Sequence, residues 1–122
     1  MSKAVVTAKR QTGDRYEEQA IAFLSQKVLT LVARNYQCKL GEIDLITMDG
    51  NTIIFVEVRF SKTSSFGGAA VSVTRAKQRK ICLAALHYLQ SKKRDNALCR
   101  FDVLAFSESE IQWIQDAFHS PL

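Results

Sequence analysis

Three carboxylates stand where a buried strand would tolerate few. Glu42 and Asp44 lie in GEIDLI, and Glu57 lies in IIFVEV. A run as apolar as the second is normally covered on both faces of a sheet. A carboxylate there is costly unless it is paired or holds a metal ion. Side chains alternate along a strand, so Glu42 and Asp44 share one face, and Glu57 and Arg59 share one face of the next strand. Between the two runs, Asp49-Gly50 is a strong hairpin signal. As a two-residue turn it pairs Met48 with Asn51, sets Asp44 opposite Phe55 and sets Glu42 opposite Glu57. All three carboxylates then share a face, with Asp44 and Glu57 diagonal neighbours at roughly 7–8 Å. A four-residue loop would instead set Asp44 directly opposite Glu57.

Like charges facing each other destabilise a sheet, and a divalent cation removes that penalty. Oxygen-only ligands point to Mg²⁺ or Mn²⁺ rather than zinc. The plainer alternative is ion pairing with Arg59, Lys39 or a basic helix residue. On the strand pattern alone the two readings stay open.

A second cluster is basic. Arg75, Lys77, Arg79 and Lys80 crowd the first turns of an expected helix. Cations there oppose the helix dipole, so an external anion such as a phosphate backbone is a reasonable partner. A solvated charged face is the commoner explanation of such a run. His87 and His119 have no acidic or cysteine partner at ligand spacing, and Trp113 and Phe118 read as core or interface. Asp102, in RFDVLAF, pairs with Arg100 or caps a sheet edge.

The elements that must position these residues follow from periodicity. A helix is expected from Gly13, with Tyr16, Ala20, Phe23 and Leu24 at helical spacing and Asp14 as a cap or first-turn acid. Strands are expected over Val28 to Tyr36, Glu42 to Met48 and Thr52 to Phe60. Ser61 to Gly68 is a polar loop, of which Ser64–Gly68 could cover a substrate, although glycine there also suits a plain turn. A second helix runs from about Thr74 to Lys92, with Ile81, Ala84, Ala85, Tyr88 and Leu89 inward. Arg100 to Phe106 and Glu110 to Ala117 close the order α-β-β-β-α-β-β.

The whole is one α/β domain over residues 13–118, between a basic tail at 1–12 and a short tail at 119–122. The chain has 122 residues, 47% of them hydrophobic, enough to bury one core. Its net charge of +5 and pI near 9.3 favour polyanions but also suit simple solubility. Cys38, Cys82 and Cys99 are widely spaced with no CxxC, which excludes a zinc pattern and a disulfide framework and fits a reducing compartment. No apolar run reaches signal-peptide or membrane-spanning length. A soluble cytoplasmic protein with no membrane partner is the expectation.

The chain resembles the YraN-like uncharacterised protein family, from about Gly13 to Phe106. The matching pieces are GDRYEEQA, ARNYQ, GEIDLI, FVEV, FGGA, the Lys77 region and RFDVLAF. That resemblance implies the restriction-endonuclease-like, PD-(D/E)xK fold, a mixed central sheet flanked by helices. It implies a metal-dependent endonuclease acting on DNA, perhaps on branched or repair intermediates. Asp44 maps onto the first metal-binding aspartate and Glu57 onto the acid of the (D/E)xK element, with the Val58 carbonyl as a further ligand. Glu17 resembles the helix glutamate of archaeal Holliday-junction resolvases and could bind a second ion or orient the water, and Glu42 is a weaker candidate for the same task. The nuclease pattern has lysine where this chain has Arg59, and arginine stays protonated, so it can stabilise charge but not act as a base. A non-catalytic nucleic-acid-binding domain of the same fold and a protein-interaction domain are the alternatives. A nuclease that cuts both strands often needs two sites, so a homodimer stays open.

Overall fold

A computed structural model describes residues 8–60, 73–108 and 110–120, with side chains described from Arg15 onward. The element order is α1 (Ala8–Ser25), β1 (Thr30–Cys38), β2 (Gly41–Asp49), β3 (Thr52–Phe60), α2 (Arg75–Ser91), β4 (Cys99–Phe106) and β5 (Ile111–Phe118). This is the α-β-β-β-α-β-β order expected from periodicity. The five strands form one mixed sheet in the order β1-β2-β3-β4-β5. Only β3 and β4 run parallel; the other neighbours are antiparallel. A parallel pair needs a crossover, and α2 supplies it.

The helices cover opposite faces of the sheet. Ala20 and Leu24 of α1 pack with Leu45, Ile54, Val56, Leu104 and Phe106. On the other face, Ile81, Ala84, Ala85, Tyr88 and Leu89 of α2 pack with Ile46, Ile53, Phe55, Phe101 and Val103. These are the inward residues that the 3.6 periodicity marks on α2. Beneath that helix the rings of Tyr88, Phe55, Phe101 and Phe118 follow one another at centroid separations of 6.1, 5.4 and 5.1 Å. Central strands buried on two faces explain the nearly unbroken apolar runs of β3 and β4.

Three sequence expectations move. The first helix begins at Ala8, so Gly13 and Asp14 lie inside it rather than at its start. The first strand runs Thr30–Cys38 rather than Val28 to Tyr36, because Val28 adopts a positive φ of 67° in the turn after α1. The β2–β3 turn is Gly50-Asn51, not Asp49-Gly50, since Asp49 pairs with Thr52 and Met48 with Ile53. Gly50 carries a φ of +61°, and a II′ hairpin takes glycine at the first central position. The shift changes every cross-strand partner.

Asp102 is buried and fully engaged. It accepts from Arg100 Nε at 2.9 Å and Nη2 at 3.1 Å, from Trp113 Nε1 at 2.8 Å and from the Asp116 backbone N–H at 2.9 Å. The β4–β5 register slips here, between Phe101 and Val103, and Asp116 has a φ of 52°. Asp102 thus satisfies a strand irregularity, a structural task that accounts for a buried carboxylate without any ligand. The loop at Ser61 to Gly68, with its FGGA segment, lies outside the described residues.

Candidate functional site

The site forms where β2 and β3 separate. Their ladder runs from Asp49↔Thr52 to Leu45↔Val56, so Asp44 and Glu57 are the residues next beyond its last pair. The expected opposition of Asp44 and Phe55 is not formed, since Phe55 pairs with Ile46. Beyond Leu45 the alternation of β2 also breaks. Leu45 packs in the α1 layer, whereas Ile43, two residues away, packs in the α2 layer. The Asp44 carboxylate fills the gap, with its Oδ2 accepting the Val58 backbone N–H at 2.8 Å. A side chain thus substitutes for a ladder partner and holds Asp44 against β3.

Asp44 and Glu57 line a cleft of about 230 Å³ together with Tyr16 and Glu17 of α1, Val58, Arg59 and Phe60 of β3, and Lys77 of α2. Glu57 is only 4% exposed. Burial pushes its carboxyl up to about 8, the charge of Asp44 adds to the rise, and Arg59 and Lys77 oppose it. Asp44 is raised as well, chiefly by burial, with the Val58 N–H and a hydrogen bond from Glu57 acting the other way. At neutral pH the pair therefore holds one proton between two carboxylates.

Cations flank the pair. Arg59 Nη2 lies 3.3 Å from Glu57 Oε2 and Lys77 Nζ lies 4.0 Å from it. The Arg59 contact lacks hydrogen-bond geometry, and among the described residues its Nε and Nη2 are buried without a hydrogen-bond partner. Unpaired guanidinium donors beside a cleft are costly without a ligand, and a planar anion would satisfy them.

Glu17 reaches the same cleft from α1. Its Oε1 accepts from Asn35 Nδ2 at 3.2 Å and lies 3.5 Å from Arg34 Nη2. Burial raises its pKa first, the Asn35 hydrogen bond lowers it, and Asp44 raises it again. Arg34 also binds Glu18 at 2.6 Å. Asn35 sits at a φ of 54° on β1, a conformation that asparagine tolerates better than most residues. Sequence reasoning quoted ARNYQ but gave Arg34 and Asn35 no role, because a residue that fixes a helix glutamate across a sheet edge has no local signature.

The remaining candidates disperse. Glu42 is exposed, accepts from Gln37 Nε2 at 3.2 Å and lies outside the cleft. The basic run of α2 divides: at about 100° per residue, Lys77 and Lys80 share a side and Arg75 and Arg79 point away from Lys77. Thr74 caps the helix by accepting the Lys77 N–H at 3.2 Å. His87 takes Tyr36 as partner, its Nδ1 lying 2.5 Å from the hydroxyl. His119 is 3.9 Å from Asp116 at the surface. No helix among the described residues is long and apolar enough to cross a membrane.

The donor set tests the implied metal. Among the described residues no group of three or more His, Cys, Asp or Glu side chains converges on one point. Two close carboxylates, Glu57 buried and Asp44 partly buried, nevertheless fit a hard divalent cation, which would offset their mutual repulsion. Asp44, Glu57 and the Val58 carbonyl would hold it.

The raised carboxyl has a consequence for stability. The folded protein binds a proton on Glu57 between pH 4.5 and about 8, where the unfolded chain has lost it. That contribution is complete below pH 4.5 and is lost as pH rises through about 8. Glu57→Gln should keep the hydrogen bond to Asp44 and remove the titration. Its stability should fall less across this window than the parent's, with a difference on the order of a few kcal/mol above pH 8 in metal-free buffer. Urea unfolding in EDTA at several pH values measures it, and parallel pH profiles would rule out a protonated buried Glu57.

The family model described as uncharacterised protein family UPF0102 matches residues 16–106. A UPF0102 protein of Nitrosomonas eutropha is 49% identical over 114 residues, covering 93% of this chain and 97% of that protein. One of Saccharophagus degradans is 50% identical over 109 residues, covering 88% and 92%. One of Aeromonas hydrophila is 50% identical over 108 residues, covering 87% and 83%.

Proposed function

The chain belongs to uncharacterised protein family UPF0102, and we propose that it is a metal-dependent endonuclease that hydrolyses phosphodiester bonds in DNA. The observation that carries this reading is the meeting of two carboxylates, buried Glu57 and partly buried Asp44, with Arg59, whose Nε and Nη2 have no hydrogen-bond partner among the described residues, in one cleft. The carboxylates suit Mg²⁺ or Mn²⁺, and the guanidinium suits a phosphate.

When bound, such an ion lowers the pKa of a coordinated water and offsets charge developing on the phosphate. The chain's own groups supply the rest. Arg59 directs Nε and Nη2 at two phosphate oxygens and fixes the scissile group. Lys77 adds a second positive charge from α2. Glu17, whose carboxyl is raised and held by Asn35, takes the proton of the attacking water, a task that Arg59 cannot perform. The water oxygen bonds to phosphorus as the bond to the leaving sugar oxygen breaks. Tyr16, stacked on Phe60 at 4.7 Å, walls the cleft on its α1 side.

A non-catalytic DNA-binding domain of the same fold is the second reading. It draws on arginine at position 59 and on a carboxylate set that stops at two close members. Incubation with single-stranded, duplex, flap and four-way DNA in Mg²⁺, Mn²⁺ or EDTA separates the readings. Cleavage that needs the ion supports the nuclease. Salt-dependent binding with no cleavage of any substrate would leave the binding domain, and no binding at all would remove both.

A further inference from the structure

Beside the cleft lies a second, larger hollow of about 450 Å³, between the β1–β2 turn and the first turns of α2. Lys39, Lys77 and Lys80 line it with Leu40, Gly41 and Glu42. Lys77 also lines the carboxylate cleft, so one side chain borders both hollows. Resting on the nuclease reading above, we propose that this groove is a second phosphate subsite, which holds the DNA strand next to the scissile bond.

Charge is the first support. Three lysines against one carboxylate leave the groove net positive, and the carboxylate of Glu42 is already engaged by Gln37. A positive groove that tracks a strand away from a reaction centre is how single strands are held without base readout. Close packing is the second. A Cβ on Gly41 would lie 2.5 Å from the backbone oxygen of Lys80, so glycine lets β2 approach α2 and brings Lys39 and Lys80 to one hollow. Leu40 projects from the turn about half-exposed, an apolar surface beside the lysines for a base or sugar. Arg75 and Arg79, equally basic and in the same helix, turn away from Lys77 and take no part.

That contrast makes the test. Binding of a fluorescent single-stranded 20-mer is followed across a salt series in EDTA, where cleavage cannot occur. Lys39→Gln/Lys80→Gln should weaken binding by on the order of tenfold and flatten the salt slope by about 1.4, the share of two phosphate contacts. Arg75→Gln/Arg79→Gln removes the same charge from the other side of α2 and should change both far less. Glu42→Gln should tighten binding. Thermal melting shows that each variant is folded.

The groove is also specific about length. A dinucleotide confined to the cleft should bind parent and Lys39→Gln/Lys80→Gln alike, while the 20-mer distinguishes them. Equal losses in the two double variants, or a parent-like slope in Lys39→Gln/Lys80→Gln, would overturn the subsite. Failure of the nuclease reading looks different: the parent would show the groove-dependent slope in EDTA yet cut nothing in Mg²⁺ or Mn²⁺.

Discussion

Asp44→Asn and Glu57→Gln are each expected to lose measurable Mn²⁺ binding and to slow metal-dependent cleavage by at least about 100-fold. Even groups that merely support metal ligands cost about 10–100-fold when removed, and these two are the proposed ligands themselves. In the parent, Asp44 and Glu57 would give up their shared proton and both would serve as ligands to the ion. In Glu57→Gln the amide offers one neutral oxygen, and Arg59 at 3.3 Å and Lys77 at 4.0 Å then repel the incoming cation with less negative charge to offset them. Asp44→Asn removes the charge and leaves a single neutral oxygen to accept the Val58 N–H, so it should also weaken the β2–β3 end. Glu57→Gln separates the effects, because the folded parent already carries that carboxyl neutral below about pH 8. Calorimetric or paramagnetic titration with Mn²⁺ reads the binding, and single-turnover assays read the rate. Parent-like Mn²⁺ affinity in both variants would dispose of the metal reading.

Arg59→Ala should lower DNA affinity and any cleavage together, by on the order of 10- to 100-fold in rate, the size of a lost charge-assisted phosphate contact. The guanidinium is one-quarter exposed and has no hydrogen-bond partner for Nε and Nη2 among the described residues, so its removal breaks little of the fold. Arg59→Lys should keep the fold and raise cleavage, or uncover cleavage that the parent lacks. An ammonium is more compact and comes closer to the attacking water, whereas the fork of arginine favours ground-state binding to two phosphate oxygens. Single-turnover cleavage of labelled DNA from neutral to alkaline pH measures both variants. A fully active Arg59→Ala, or a Arg59→Lys that loses activity, would move the phosphate contact to Lys77.

Much of this geometry was legible in the chain. Ile81, Ala84, Ala85, Tyr88 and Leu89 repeat at helical spacing, and they form the buried side of α2. IIFVEV read as a strand buried on both faces, and β3 is buried from Ile53 to Glu57. The carboxylates stood out because an acid is costly in such a run, and that cost does not depend on the neighbours. Asp102 met the same test, and its expected pairing with Arg100 holds, but as part of a four-donor cage. An acid in a buried strand marks a polar site. Only the partners decide whether that site binds a ligand or repairs the sheet.

What the sequence determined by itself is therefore the elements, their order, and which of their residues carry an unusual cost. These follow from backbone periodicity and transfer energies, which act over a few residues. What only the tertiary structure decided is which costs share one place. The hairpin register rested on Gly50 rather than Asp49 taking the first turn position, a one-residue choice that leaves Asp44 and Glu57 just beyond the last ladder pair and sends Glu42 to another hollow. The splitting of the basic run, the grip of Asn35 on Glu17, and the sharing of Lys77 between two hollows join residues far apart in the chain. Such meetings are fixed by how α1 and α2 pack on opposite faces of the sheet, and no local energy in the sequence encodes them.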